Sequence, residues 1–185
     1  VEQLKVDMVN QLEQIERGEK VIVFIDSIGN LASKKETEDA LNEKVVADMT
    51  RAKALKSLFR IVTPHFAIKN IPCIAVNHTI ETITKFSKTV MTGGTGPMYS
   101  ADTVFIIGKR QIKDGTELQG YQFVLNAEKS RTVKEKSKFF INVKFDGGID
   151  PYSGLLDVAL ELGFVVKPKN GWYARSYIDT DTGEM

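Results

Sequence analysis

The sequence predicts an α/β fold in which a parallel sheet carries helices on both faces and an antiparallel meander lies at one edge. Two apolar strands, at 21–26 and 71–77, lie on either side of a long amphipathic helix, which is a βαβ pattern. Three further strands, at 103–109, 120–128 and 137–145, follow one another through short turns. Strands separated by a helix predict the parallel part, and consecutive strands predict the meander.

The helices are predicted from apolar residues that recur every three or four positions among charged ones. This spacing covers 3–17, where Gly18 ends the helix, and 40–60, which is followed by a connector at 61–70. A last helix is predicted from Tyr152 to Leu162. The stretch 79–101 has no clear period and holds a cluster of glycines, so it is expected to be a functional or mobile loop.

Composition indicates one soluble domain, or a large part of one. The chain has 185 residues, 42% of them apolar and 26% charged, which is enough apolar material for a core. The net charge of +1 singles out no nucleic-acid or membrane partner. Cys73 is the single cysteine, which excludes an internal disulfide and fits the cytoplasm, and no apolar run is long enough to span a membrane. Both ends look like cuts within a longer chain.

Asp26 and Ser27 follow the first predicted strand directly. In a parallel sheet the carboxyl ends of the strands open onto the ligand crevice, where a carboxylate can hold Mg²⁺ through water and so position nucleotide phosphates. This is the Walker B pattern, and Asp26 is the candidate metal ligand. An acidic residue and a serine after a strand also begin turns and cap helices, so both interpretations stay open.

Asn77 and His78 end the second predicted strand, so they should lie on the same rim as Asp26 if the two strands are neighbours. A polar pair there could sense a γ-phosphate. From these residues alone, the more ordinary interpretation is that Asn77 fixes a turn and His78 faces solvent.

A cationic stretch and the glycine cluster are candidate sites for anions. Lys129 and Arg131 would point the same way on an edge strand and could bind one anion together. Such charges also protect the edge of a sheet from aggregation. The loop combines mobile backbone amides, cations and apolar side chains, which suits single-stranded nucleic acid, but a surface loop or a lid would look similar. The candidate DNA-binding residues are Lys85, Phe86, Lys88, Thr92, Gly93, Gly94, Thr95 and Gly96.

The order of these motifs resembles the RecA family of recombinases. VIVFIDS, IPCIAVNH, TGGTGPMYSA, EKSR and FDGGIDPYSGLLDVALELGFV occur in that family's order over nearly the whole chain. The resemblance implies a partial RecA-like P-loop NTPase core over 1–185, with a C-terminal region that starts near 150. It implies a DNA-dependent ATPase that uses ATP and Mg²⁺, forms helical filaments on single-stranded DNA and exchanges strands with double-stranded DNA.

The resemblance also implies residue roles. Asp26 would be the magnesium-side carboxylate with Ser27 beside it, and His78 would contact the γ-phosphate where the family has glutamine. Lys129 and Arg131 would reach ATP bound by the neighbouring subunit. Residues 79–98 would form the second DNA-binding loop and roughly 34–44 the first.

Further partners implied are a recombination mediator and a single-stranded DNA-binding protein, in a bacterial host's cytoplasm if a phage encodes the chain.

The phosphate loop GxxxxGK[ST] does not occur in the 185 residues. It is expected before Val1, so this stretch alone is expected to be inactive. A replicative-type helicase, or a non-catalytic DNA-binding module on a degenerate ATPase fold, stays open as an alternative.

Overall fold

The computed structural model describes residues 1–43, 49–82 and 89–177. The chain divides into two compact units, Val1–Ala101 and Asp102–Met185, which we call the first and second unit. Across the described ranges, no helix is both long and apolar enough to cross a membrane.

The described residues of the first unit form four helices and four short strands. The helices are α1 (Glu2–Gln14), α2 (Lys34–Leu41), α3 (Thr50–Lys69) and α4 (Gly96–Ser100), and a 3-10 turn covers Ile28–Asn30. The strands are β1 (Val23–Ile25), β2 (Cys73–Ala75), β3 (Thr79–Glu81) and β4 (Thr89–Met91).

β1 and β2 are parallel neighbours, with Val23 opposite Cys73. Beyond the paired residues, the Val76 N–H donates to the Ile25 carbonyl and the Ile28 N–H donates to the Val76 carbonyl, both at 2.8 Å. The two predicted strands are therefore confirmed, the structure makes them neighbours, and the fold is mixed α/β. The other strand pairings in the described part of the chain are antiparallel.

The core of the first unit lies between α1, α3 and β1. Leu55, Leu58 and Val62 on α3 are fully buried, and Leu12 of α1 packs with them. The Lys69 ammonium at the end of α3 donates to carbonyl oxygens of the last turn of α1, which satisfies groups that a helix end leaves unpaired. The two helices are thus joined by apolar packing and by this cap.

The prediction of one helix at 40–60 and a connector at 61–70 is wrong. α2 ends at Leu41, residues 44–48 lie outside the described ranges, and α3 continues through Pro64 to Lys69. The helix persists because its buried face extends to Val62 and Phe66, and core packing outweighs the hydrogen bond that proline removes. It ends where Asn70 adopts a left-handed conformation with φ of 58°.

The second unit is built on the predicted meander. An antiparallel sheet has the order β5 (Thr103–Asp114), β6 (Glu117–Ser130), β7 (Lys138–Lys144) and β8 (Gly148–Ile149). α5 (Leu155–Glu161) follows within the predicted helix, and Gly163 with φ of 76° lies just after it. The hairpin of β9 (Val165–Lys169) and β10 (Trp172–Arg175) was not predicted, although the turn residues Asn170-Gly171 are a hairpin signal.

The described residues of the stretch 79–101 hold more regular structure than the sequence predicts. β3 and β4 form an antiparallel hairpin, with Thr79 opposite Met91, and α4 follows the glycines. The hairpin was missed because its three-residue strands are too short for a period to show.

Candidate nucleotide-binding rim

Asp26 and Ser27 lie at the carboxyl end of β1, as predicted. The Asp26 carboxylate is exposed and makes no hydrogen bond or ion pair with another described residue. Ser27 is 5% exposed, and its hydroxyl lies 3.2 Å from Nε2 of His78. The serine side chain thus faces the neighbouring strand end while the carboxylate faces solvent.

The four residues Asp26, Ser27, Asn77 and His78 form what we call the rim. The structure brings the two strand ends together, because β1 and β2 are neighbours and the bond between Ser27 and His78 joins them. The tautomer of His78 decides which partner donates in that bond. The sequence-based expectation of a shared rim is met in the geometry.

The ring of His78 also lies against the 3-10 turn. A Cβ placed on Gly29 would lie 2.2 Å from Cδ2 of that ring, so glycine at this position lets the ring keep its present place. The Arg51 guanidinium of α3 donates to the carbonyl oxygens of Ile28 at 3.2 Å and Gly29 at 2.5 Å. The turn under the ring is therefore tied to α3.

Asn77 fixes the start of the glycine segment, by which we mean residues 92–96. Its amide donates to the Thr92 carbonyl, and its Oδ1 accepts from the Thr92 hydroxyl and from the His78 N–H, each at 2.9 Å. The Thr92 N–H donates to the His78 carbonyl at 2.9 Å. We call the bonds between Asn77 and Thr92 the latch. Asn77 thus fixes a turn, as the ordinary interpretation expected, and the turn it fixes leads into the glycines.

The glycine segment packs on α3. A Cβ on Gly93 would lie 2.7 Å from Cδ1 of Leu55, and one on Gly96 would lie 2.7 Å from the Cα of Lys56. Gly96 is buried, whereas Gly94 and Thr95 are exposed. The glycines here allow close approach to a helix, and Gly94 and Thr95 are the members of the segment that present surface. The predicted DNA-binding residues Lys85, Phe86 and Lys88 lie outside the described residues.

Lys129 and Arg131 belong to the second unit. Lys129 is half-buried near the end of β6, opposite Val104. Arg131 lies just past the end of β6, so strand alternation does not make its side chain point the same way as that of Lys129. Arg131 forms a 2.9 Å ion pair with Asp102, and both side chains are 72% exposed. Such exposed pairs contribute about 0–1 kcal/mol.

The turn that carries Arg131 is shaped by the residue before it. The Ser130 hydroxyl accepts from the N–H groups of Thr132 and Val133, both at 3.1 Å. A serine that bonds the backbone two and three residues ahead is a common way to fix a turn.

The comparisons with known proteins agree with the order of motifs. Over all 185 residues the chain is 84% identical to the protein called Recombination and repair protein from Enterobacteria phage T4, of which it covers 47%. The chain resembles a phage recombination protein over its whole length. Residues 152–185 match the family described as Bacteriophage T4, Recombination and repair protein, C-terminal domain.

Further relatives, at lower identity, are bacterial proteins called Protein RecA. The one from Bacteroides thetaiotaomicron is 28% identical over 93% of the chain and 52% of its own length. The one from Chloroherpeton thalassium is 29% identical over 83% of the chain and 43% of its own length. The chain spans about half the length of the relatives it matches. The resemblance to RecA recombinases is therefore confirmed.

The oxygen atoms of the rim could supply part of a Mg²⁺ site, with a nucleotide supplying further ligands. Mg²⁺ in phosphate sites keeps several waters and takes one or two carboxylates together with phosphate oxygens. Asp26 supplies one exposed carboxylate, and within the described ranges no group of three His, Cys, Asp or Glu side chains could hold a metal by itself. An ion at Asp26 would therefore take most of its ligands from water and phosphate.

Reasoning from the sequence missed three residues that shape the candidate sites. Gly29 and Arg51 hold the surroundings of His78, and Ser130 holds the turn of Arg131. Gly29 lies two positions after Ser27, where a close approach at the strand end could have been suspected. Nothing in the local sequence links Arg51 to a turn 22 residues earlier.

Proposed function

We propose that the chain is part of an ATP-dependent DNA recombinase that forms filaments on single-stranded DNA and catalyses homologous pairing and strand exchange. The similarity to the phage protein named for recombination and repair supports the class. The observation that carries the mechanism is the latch, because it joins the candidate nucleotide rim to the candidate DNA-binding segment.

The nucleotide site is proposed at the rim. Asp26 would hold Mg²⁺ through water, Ser27 and Asn77 would shape the strand ends, and His78 would contact the γ-phosphate of ATP. Bound ATP supplies the γ-phosphate, and His78 would contact that phosphate before hydrolysis and lose the contact after it. β1 and β2 would be part of a larger parallel sheet with helices on both faces, which is the core that the RecA resemblance implies.

Coupling to DNA is proposed to pass through the main chain of His78. Its N–H is held by Asn77 and its carbonyl by the Thr92 N–H, so a shift of His78 must move or break bonds to the residue that precedes Gly93. ATP can favour DNA binding only if it contacts the DNA-binding arrangement better than the other arrangement. The latch, together with the bond from the Thr92 N–H to the His78 carbonyl, provides the short path for that difference.

DNA is proposed to bind at 79–98 and at roughly 34–44. The exposed backbone of Gly94 and Thr95 would approach phosphates, and Lys85, Phe86 and Lys88 would add charge and an aromatic surface. Contacts of this kind read little sequence, so both single-stranded DNA and a double-stranded homologue would be partners.

The filament is proposed to place Lys129 and Arg131 against ATP bound by a neighbouring copy. The exposed guanidinium of Arg131 is held by a weak surface pair, so exchanging Asp102 for a phosphate would cost little. Two further protein partners are proposed, in the cytoplasm of a bacterial host. One is a mediator that loads the recombinase, and the other is a single-stranded DNA-binding protein that the recombinase displaces.

The test is ATP hydrolysis by the full-length protein with and without single-stranded DNA. We expect DNA to stimulate hydrolysis, and Lys129→Ala and Arg131→Ala each to reduce the stimulated rate at least tenfold. Asp102→Ala is the matched control, since it removes the same ion pair but keeps the guanidinium, and it should keep the stimulated rate. Lys134→Ala controls for the loss of an exposed lysine from the same turn.

Two results would overturn the proposal. Wild-type hydrolysis that is absent or indifferent to DNA would favour the non-catalytic binding module. Stimulated hydrolysis that unwinds duplexes but does not pair homologous strands would favour the helicase.

A further inference from the structure

The ring of His78 is held by two contacts on the β1 side of the rim. The Ser27 hydroxyl lies 3.2 Å from Nε2, and the bare Cα of Gly29 faces Cδ2 on the same edge of the ring. Ser27 is 5% exposed, so the atoms that bury it limit how far its hydroxyl can move away from the ring. The histidine itself is exposed, and these contacts therefore decide where its imidazole points.

The backbone of Gly29 is held in place as well. Arg51 donates to both the Ile28 and the Gly29 carbonyl oxygens, and the Ile28 side chain is 3% exposed within the core. The turn can therefore not retreat from the ring to admit a larger residue. The φ of Gly29 lies outside the left-handed region, so alanine fits its backbone and would act through its methyl group alone.

We propose that Gly29 is a positioning residue for His78, and that its lack of a side chain sets the orientation in which the imidazole meets a nucleotide phosphate. The inference rests on the proposed function of the rim. A methyl group 2.2 Å from Cδ2 must drive the ring away by more than about 1 Å to reach ordinary carbon contact. That displacement breaks the bond to Ser27.

A side chain without a ring would escape the clash. Glutamine at position 78 has the same polar reach but is narrow and flexible, so it can pass beside a methyl group on residue 29. The requirement for glycine is therefore specific to histidine at position 78. The two positions should show strong coupling when both are changed.

The test compares Gly29→Ala with Gly147→Ala in the full-length protein. Gly147 has open space where its Cβ would lie and also has a φ outside the left-handed region, so it is a matched control. We expect Gly29→Ala to lower DNA-stimulated ATP hydrolysis about 10- to 100-fold, since a misplacement of this size has such effects on positioned groups. Gly147→Ala should match the wild type.

The stimulated rate of a double variant separates positioning of His78 from a merely structural role of Gly29, because a structural defect would lower the rate whatever residue stands at position 78. In the His78→Gln background, Gly29→Ala should lower the stimulated rate less than threefold. In addition, the imidazole NMR signals of His78, assigned by their loss in His78→Gln, should shift in Gly29→Ala, while those of His65 stay in place.

The outcomes are distinct. A wild type without DNA-stimulated hydrolysis refutes the proposed function, and the imidazole signals then still test the geometry. A stimulated wild type in which Gly29→Ala equals Gly147→Ala overturns the inference alone. An equal loss in the wild-type and His78→Gln backgrounds also overturns it, because the effect would then not pass through the ring.

Discussion

The two units hold their candidate site residues in different ways. In the first unit, helices α1 and α3 bury a continuous apolar core, and the rim and the glycine segment rest on it. In the described part of the second unit only Val124 and Ala127 are buried apolar residues. Backbone hydrogen bonds between the strands β5–β8 hold this unit together. A site on a packed core can transmit small displacements, whereas Arg131 on a surface turn is free to change partners.

The sharpest test of this contrast removes a core side chain beneath the glycine segment. Leu55→Ala should destabilise the first unit by about 3 kcal/mol, because Leu55 is fully buried and its loss leaves a cavity under Gly93. Amide hydrogen exchange across α3 measures the loss. Ile68→Ala on the same helix is the control, since Ile68 is 69% exposed. Similar losses for both variants would contradict a core centred on Leu55.

The second unit should instead be sensitive to an added methyl group. A Cβ on Gly120 would lie 2.2 Å from the Val143 carbonyl oxygen on the neighbouring strand, so Gly120→Ala must push β6 and β7 apart. The expected cost is about 1–3 kcal/mol, seen as faster hydrogen exchange in both strands. Gly147→Ala has open space and should exchange like the wild type. Unchanged exchange in Gly120→Ala would show that the ladder tolerates the separation.

The same contrast explains what the sequence could predict. Apolar strands and the meander were predictable because the alternation and spacing of side chains are local, and so was the shared rim of Asp26 and His78, which follows from parallel neighbours. The extension of α3 past Pro64 was not, because packing of Val62 and Phe66 outweighs the local cost of proline.

The support of the candidate site was also beyond the sequence. The contact between Gly29 and His78 joins residues that are 49 positions apart along the chain, and the bonds from Arg51 to the turn depend on how α3 packs. Motifs suggest candidate residues for the chemistry. They do not show which side chains hold those residues in place.

A third prediction concerns the latch. Asn77→Ala removes three side-chain hydrogen bonds at the end of β2, and each contributes about 1 kcal/mol. We expect local opening of β4 and the glycine segment, measured as faster amide exchange at Thr92, with little change in the middle of α3.

Two substitutions at Thr92 sharpen this prediction. Thr92→Val removes the hydroxyl that donates to Asn77 and should reproduce part of the effect, whereas Thr92→Ser keeps the hydroxyl and should resemble the wild type. An identical effect of valine and serine would mean that the hydroxyl bond contributes nothing.

The smallest expected effect concerns Cys73 on β2. Partial burial against the core raises the pKa of its thiol, so a smaller fraction is thiolate near pH 8 and alkylation should be several-fold slower than in the unfolded chain. Mass spectrometry of the modified peptide measures the rate, which should keep rising above the ordinary thiol pKa. Equal rates in the folded and unfolded states would mean that the core does not shield β2.

The coupling of the rim to the glycine segment is tested most directly by single-stranded DNA binding to the full-length protein with a non-hydrolysable ATP analogue and with ADP. The wild type should bind DNA more tightly with the analogue, by about the 1–3 kcal/mol typical of coupled sites. Asn77→Ala should lose a large part of that difference in binding free energy but not all of it, because the bond from the Thr92 N–H to the His78 carbonyl remains. A variant that keeps the full difference would contradict the latch as the path between nucleotide and DNA.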